Sequence, residues 1–256
     1  ITPLSWSLDH AGPIARSVED IHLMCQAIID TEKYDAHGAH QVEPANMSNV
    51  TIGIPRNYYF DYVAEPITEA VRKAAEILAQ QGATLVEVDI PLNDYLIPTQ
   101  WGIMVAEAAS VHGATIRQSP ELYGDDVRIL IESGQFLPAT DYLKAQRVRG
   151  MIQKAWQTMF ENIDVLLAPT VPQTAALKGQ EAFVRDDGSQ ESVSDAYVRL
   201  CAPSNVTGLP SLSLPFGRDL EGLPIGVQLI GKVFTDYKVL QVGKVIEGDL
   251  LHSNGL

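Results

Sequence analysis

Apolar residues along the chain follow two spacings, and these predict helices and strands in alternation. Between residues 17 and 30 apolar side chains return every three or four positions, which predicts an amphipathic helix. Ser17 and Asp20 have the spacing of a capping box at its start. A short apolar run at 51–54 follows a polar stretch and predicts a strand.

The next segment continues the alternation. Pro66 fits the first turn of a helix because the missing proline N–H is not needed there, and Gly82 is placed to end that helix. Residues 84–88 then predict a second strand. Strand, helix and strand in this order favour an α/β layer architecture.

The middle of the chain is predicted to be helical. Residues 94–133 have helical character with breaks near Pro120 and Gly134, and the clearest helix is predicted at 140–162. Its apolar stripe is better explained by core packing than by a cofactor site. The stripe consists of Val148, Met151, Ile152, Ala155, Met159, Phe160 and Ile163.

The last third of the chain is predicted to add more strands. The continuous apolar run at 165–168 is typical of a strand buried on both faces. A polar segment with a turn at Asp186-Asp187-Gly188 is predicted at 178–195, strands at 211–214 and 225–230, and a final helix from about Thr235. No change of composition marks a domain boundary, so one domain spanning residues 1–256 is expected.

Charge and composition exclude some classes of partner. The formal net charge is -14, so the surface repels a phosphate backbone and a nucleic-acid partner is not expected. No apolar run reaches the roughly 18 residues of a membrane span, so no membrane association is expected. The two cysteines, Cys25 and Cys201, do not form a disulfide framework, which favours a cytoplasmic setting.

Common catalytic and ligand-binding motifs are missing from the sequence. There is no G-x-S-x-G elbow, S-x-x-K pair, Walker loop or dinucleotide fingerprint. His37 and His40 have a three-residue spacing without a third ligand nearby, so neither a metal site nor a cofactor is expected.

Three segments nevertheless resemble the amidase-signature family, in the order in which that family has them. They are SLDHAGPIARSVED at 7–20, DYLKAQRVR at 141–149 continuing to DVLLAPT at 164–170, and PSNVTGLPSLSLP at 203–215 continuing to GLPIGVQLIG at 222–231. Together they cover nearly the whole chain, which makes a chance match improbable.

The resemblance implies hydrolysis or transfer of carboxamides. Members of the family use a nucleophilic serine, a second bridging serine and a lysine, with backbone N–H groups stabilising the oxyanion. In the family all of these lie N-terminal to the position that Ser7 would occupy. No catalytic residue is therefore expected in this chain. The resemblance implies that the parent protein is an amidase, and we expect this chain to be inactive alone.

Two residues are candidates for substrate binding. Arg128 lies in a stretch similar to one that lines the substrate funnel in some family members, and its guanidinium suits a carboxylate. The alternative is a surface ion pair with Asp125 or Glu132. Thr170 follows a predicted strand, where α/β clefts form. Asn205, between a predicted helix and strand, is expected to satisfy loop backbone groups.

The resemblance also implies the architecture and the partners. We expect a mixed β-sheet with helices on both faces, forming an incomplete amidase-signature fold. The chain is then the C-terminal scaffold and substrate-funnel portion of an enzyme that acts on a small-molecule amide. We expect uncovered apolar surface that needs an N-terminal half or self-association. Two alternatives are a non-catalytic binding or adaptor protein and a relative of an amidotransferase component.

Overall fold

The centre of the fold is a five-stranded mixed sheet. The computed structural model describes residues 2–30, 46–185 and 187–253. The sheet consists of β1 Thr51–Pro55, β2 Thr84–Val88, β3 Val165–Pro169, β6 Ser211–Arg218 and β7 Pro224–Gly231, and a separate hairpin is formed by β4 Ala182–Val184 and β5 Gln190–Ser192. The strands of the sheet lie in the order β2-β1-β3-β7-β6.

The sheet changes from parallel to antiparallel at its middle strand. β1 pairs in parallel with β2 and with β3, whereas β7 runs antiparallel to both β3 and β6. The parallel pairs need the long crossover connections that the sequence pattern predicts. The expectation of a mixed sheet is confirmed.

Helices cover both faces of this sheet, as expected. They are α1 Val18–Ile28, α2 Glu65–Gln80, α3 Leu96–Gln118, α4 Asp125–Ser133, α5 Ala139–Met159, α6 Val193–Thr207 and α7 Asp236–Ser253. Alternate side chains of β3 point to opposite faces. Val165 and Leu167 pack with α1, α2 and α7 on one face, and Leu166 and Ala168 pack with α5 and α6 on the other.

The local signals in the sequence operate as expected in the first two helices. The Ser17 side chain accepts a hydrogen bond from the Asp20 N–H and caps α1. Pro66 lies in the first turn of α2, and Gly82 has a φ of 99° just after it, a conformation that glycine adopts without strain.

The helical layer α3–α4–α5 depends on one close approach. A Cβ on Gly134 would lie 1.9 Å from the Val105 carbonyl oxygen and 2.9 Å from Ala109 Cβ. Only glycine therefore allows the end of α4 to lie directly against α3. The contact fixes the end of α4 against α3, in the region where the sequence predicts helix with breaks near Pro120 and Gly134.

One expectation about local structure needs an addition and another needs correction. The polar segment at 178–195 contains the β4–β5 hairpin and the start of α6, which the sequence pattern does not predict, and Asp187 and Gly188 of the predicted turn lie between the two strands. Hairpins this short carry too few alternating apolar positions to be recognised. Asn205 lies inside the last turns of α6, which continues through Pro203 to Thr207.

One member of the predicted α5 stripe does not belong to the core. Met151 is 60% exposed, whereas Ile152 and Trp156 are fully buried. The buried face is therefore rotated toward Trp156 relative to the predicted stripe. His37 and His40 lie outside the described residues. Within the described ranges, no helix is long and apolar enough to span a bilayer.

Candidate functional site

The N-terminal segment, residues 2–10, folds into a turn that stabilises itself. The Asp9 carboxylate accepts hydrogen bonds from the N–H groups of Leu4 and Ser5, at 2.9 and 3.2 Å. The N–H groups of Leu8 and Asp9 donate in turn to the Ser5 carbonyl, at 2.9 and 2.7 Å. These bonds define the local turn, and contacts with the helices fix where the turn lies.

A single buried carboxylate, Glu107 of α3, receives this segment. The hydroxyls of Ser5 and Ser7 donate to it at 2.6 and 2.7 Å, and the Ser7 N–H donates at 3.1 Å. The hydroxyl of Tyr142, on α5, donates at 3.0 Å. Glu107 is 7% exposed and Ser5 is 1% exposed. The carboxylate thus joins the N-terminal segment to two helices.

The surroundings of Glu107 favour its ionised form. Burial by itself raises the pKa of this carboxyl. The hydrogen bonds from Ser5, Ser7 and Tyr142 outweigh that effect, so the pKa of Glu107 lies below its ordinary value. Glu107 is therefore a negative charge at neutral pH, held by hydroxyl and amide donors.

A second set of contacts fixes the same segment from α5 and α6. Arg149 donates to the Ser7 carbonyl at 2.7 Å, to the Ser7 hydroxyl at 3.1 Å and to the Val206 carbonyl at 2.9 Å. The Asn205 amide donates to the Leu8 carbonyl at 2.8 Å. Asn205 therefore satisfies a loop carbonyl, as expected, although it does so from within a helix.

A cavity of about 620 Å³ opens beside this polar cluster, and we call it the Glu107 cavity. Trp6, which lies between the two anchored serines, is 78% exposed and forms one wall. The wall is mostly apolar with a few polar groups, which is typical of a small-molecule site. Its lining consists of Trp6, Ala106, Glu107, Ser110, Val111, Leu137, Ala139 and Tyr142.

Thr170 lies just beyond the C-terminal end of β3, as expected from the sequence. Its Oγ1 is 2.9 Å from the Ser213 hydroxyl, and its N–H donates to the Gly226 carbonyl at 3.2 Å. The Cys201 thiol donates to the Thr170 carbonyl at 3.4 Å. A Cβ on Gly226 would lie 3.0 Å from Thr170 Oγ1, so a side chain there would crowd the hydroxyl.

Arg128 lies on α4 and forms ion pairs within its own helix. Its guanidinium is 3.0 Å from Asp125 and 3.9 Å from Glu132, and its side chain is one-third exposed (33%). In the described part of the chain, its contacts and those of Thr170 do not overlap. The role of either residue in substrate binding stays a prediction.

The two thiols in the chain are poorly placed to act as nucleophiles. Burial raises the pKa of Cys25 and of Cys201, which lowers the fraction of reactive thiolate. Over residues 2–30, 46–185 and 187–253, no group of three or more His, Cys, Asp or Glu side chains could hold a metal ion.

The sequence pattern did not identify Glu107. Ser7, Tyr142 and Arg149 lie within segments that carry the family resemblance, but the pattern gave them no role. The available signal was a lone acidic residue in the mostly apolar stretch IMVAEAASV, residues 103–111. An isolated charge in such a stretch indicates a buried carboxylate with hydrogen-bond donors around it.

Comparison with known sequences gives a consistent pattern. A family model described as Amidase matches residues 1–240. A protein from Pseudomonas putida named Amidase is 44% identical over 230 residues, covering 87% of this chain and 49% of that protein. A glutamyl-tRNA(Gln) amidotransferase subunit from Rhodospirillum rubrum is 32% identical over 271 residues, covering 94% of this chain and 53% of that protein.

Comparison with solved structures agrees with the sequence matches. A crystal structure of an amidase superposes with a TM-score of 0.84 at 28% identity, covering 96% of this chain and 54% of that one. The chain spans about half the length of the curated relatives it matches. Its sheet and helices correspond to part of the fold of that amidase.

Proposed function

The chain belongs to the amidase-signature family, and from this premise we propose that it is the scaffold and substrate-funnel portion of a carbon–nitrogen hydrolase. The parent reaction is cleavage of a linear carboxamide to an acid and ammonia or an amine. The observation that carries the proposal is the Glu107 cavity, walled by the segment that follows the catalytic signature region in the family.

The catalytic groups of this reaction come from outside the chain in our proposal. The family's nucleophilic serine, bridging serine and lysine lie N-terminal to the position of Ser7. The chain's own candidates are poor substitutes: burial raises the pKa of both cysteines, and Glu107 is occupied by four hydrogen bonds. We therefore propose that the isolated chain binds substrate without turnover.

The first test is release of ammonia from acetamide, hexanamide and benzamide, using pure chain whose intact mass is 27.9 kDa. The same panel is given to a chimera in which this chain replaces the matching half of the Pseudomonas putida amidase. We expect no release by the chain and release by the chimera. Turnover by the chain alone would refute the proposed inactivity, and an inactive, folded chimera would refute the scaffold role.

Arg128 and Thr170 are proposed as substrate contacts. Arg128 can exchange one of its helix carboxylates for a substrate carboxylate, since Glu132 is held only loosely at 3.9 Å. In the chimera, Arg128→Met is expected to raise KM about tenfold for an amide that carries a carboxylate and to leave neutral amides unchanged. Thr170→Val is expected to raise KM severalfold both for amides that carry a carboxylate and for neutral amides. KM values that equal those of the wild-type chimera, for every substrate and in both variants, would contradict these roles.

Partner requirements follow from the uncovered apolar surface. Trp6 is 78% exposed and Phe136 is 85% exposed. Where exposed side chains of this kind belong to one contiguous apolar patch, the patch marks a contact surface. We propose that this surface is covered by an N-terminal half or by a second copy of the chain. Size exclusion with light scattering tests this, and a monodisperse, soluble monomer at high concentration would count against it.

A second candidate function has one specific observation in its favour. The matched Rhodospirillum rubrum protein is named as part of an amidotransferase, with 32% identity over 94% of this chain. A transferase passes the amide nitrogen to an acceptor, whereas a hydrolase releases it as ammonia or an amine. If the chimera cleaves glutamine only when an acceptor is added, the transfer function is favoured.

A further inference from the structure

The hydrogen bonds of Glu107 use the whole capacity of its carboxylate. An ionised carboxylate offers about four lone-pair sites. Oε2 accepts from the Ser5 hydroxyl and the Ser7 N–H, and Oε1 accepts from the Ser7 and Tyr142 hydroxyls. A carboxylate with two donors on each oxygen has no free lone pair for a substrate proton. Glu107 is therefore unsuited to act as a general base, although it lies in the cavity wall.

The same four hydrogen bonds determine where the N-terminal segment lies. Two alternate residues, Ser5 and Ser7, are bound to one carboxylate, and Trp6 between them forms a wall of the cavity. The Ser7 hydroxyl also accepts from Arg149 while it donates to Glu107. A positive and a negative side chain thus hold Ser7 from two different helices.

We propose that Glu107 is a positioning residue for the reaction. It fixes Ser5, Trp6 and Ser7, and through them both the Trp6 wall of the cavity and the point at which the catalytic segment joins the scaffold. This inference rests on the proposed function, because the family places the nucleophilic serine N-terminal to Ser7, and the stretch that contains Ser7 follows shortly after the signature region. Small displacements of a reacting group are costly in rate, which is why the position of this segment matters.

Glu107→Gln is the informative substitution because it keeps the shape of the side chain and removes its charge. The glutamine amide has one acceptor oxygen, where the carboxylate has two. Its NH₂ group takes the place of an oxygen that accepts from these donors in the wild type. At least two of the four donors lose their acceptor. Glu121→Gln is the matched control, since it is the same chemical change at an exposed position.

The first measurement uses the 256-residue chain alone and needs no turnover. Amide hydrogen exchange of Ser7 reports directly on its bond to Glu107. Exchange of Leu8 and Asp9 reports on their bonds to the carbonyl of Ser5, whose hydroxyl Glu107 holds. We expect Glu107→Gln to accelerate exchange at these amides at least tenfold. The exchange rates of the core amides of Leu166 and Leu167 are expected to stay within about twofold of the wild type. In the Glu121→Gln variant, all exchange rates are expected to stay within the same limit. Unchanged exchange at Ser7 in Glu107→Gln would overturn the proposal.

The second measurement separates positioning from a general structural role. In the chimera, Glu107→Gln is expected to lower kcat about tenfold or more while KM stays within about threefold. An unchanged kcat, or a loss confined to KM, would overturn the role in the reaction. If the wild-type chimera does not turn over, the proposed function has failed, and the exchange experiment still decides whether Glu107 positions the segment.

Discussion

Arg149 provides the sharpest test of how the N-terminal segment is held. The substitution is Arg149→Met, which keeps most of the aliphatic stem and removes the guanidinium. Three hydrogen bonds are lost, two to Ser7 and one to the Val206 carbonyl. The carbonyl groups of Ser7 and Val206 then lack their donor in a partly buried site, and the Glu107 charge loses a neighbouring cation.

The magnitude follows from these contacts. A hydrogen bond that involves a charged group contributes about 1.5–3 kcal/mol, so three give an upper bound of about 5–9 kcal/mol. The site is only partly buried, so water replaces part of that loss, and methionine retains the packing of the stem. We therefore expect the free energy of unfolding to fall by about 2–4 kcal/mol.

Urea denaturation followed by circular dichroism measures this change. With a slope of about 3 kcal/mol per M for a chain of this size, the midpoint is expected to fall by about 1 M. The control is Arg72→Met, which breaks an exposed pair with Glu69 and is expected to change stability by less than about 0.5 kcal/mol. If the urea midpoint of Arg149→Met differed from that of the wild type by no more than the midpoint of Arg72→Met does, the reasoning would be refuted. A double-mutant cycle with Ser7→Ala is expected to give a coupling energy above about 1 kcal/mol.

Two further predictions concern backbone packing and pH. Gly134→Ala places a Cβ against the Val105 carbonyl oxygen, so we expect the free energy of unfolding to fall by about 2–3 kcal/mol or more. Gly150→Ala, where a new Cβ meets nothing within 4 Å, is expected to stabilise α5 by up to about 1 kcal/mol. If the Gly134→Ala and Gly150→Ala variants had equal melting temperatures, the packing argument would be contradicted. Because the pKa of Glu107 is lowered by folding, its contribution is complete above its unfolded pKa of about 4.3 and is lost as pH falls through the folded value. The stability difference between wild type and Glu107→Gln is therefore expected to shrink from pH 6 to pH 3, and a constant difference would contradict it.

The family resemblance and the local signals came from the sequence because each depends on short-range pattern. The cap at Ser17 and the strand at 165–168 are determined by neighbours a few residues away, and both are confirmed. The β4–β5 hairpin was missed because its strands are three residues long. Met151 was assigned to the core because periodicity predicts a stripe but does not give its rotation to the nearest residue.

The candidate site is only partly recoverable from sequence. Thr170 was placed at the end of β3 because the position follows from a strand boundary alone. Glu107 and its donors were not found, because about 100 residues separate Glu107 from Ser5 and Ser7 along the chain. Nothing in the spacing of such residues indicates that they meet.

The sequence by itself thus determined the family, the α/β class and most element boundaries, since these depend on periodicity, turn residues and motif order. The tertiary structure alone decided that a lone glutamate in a mostly apolar stretch of helix accepts four hydrogen bonds and holds the segment beside the cavity. The physical reason is that a buried charge is stable only when donors surround it, and those donors come from parts of the chain that folding brings together.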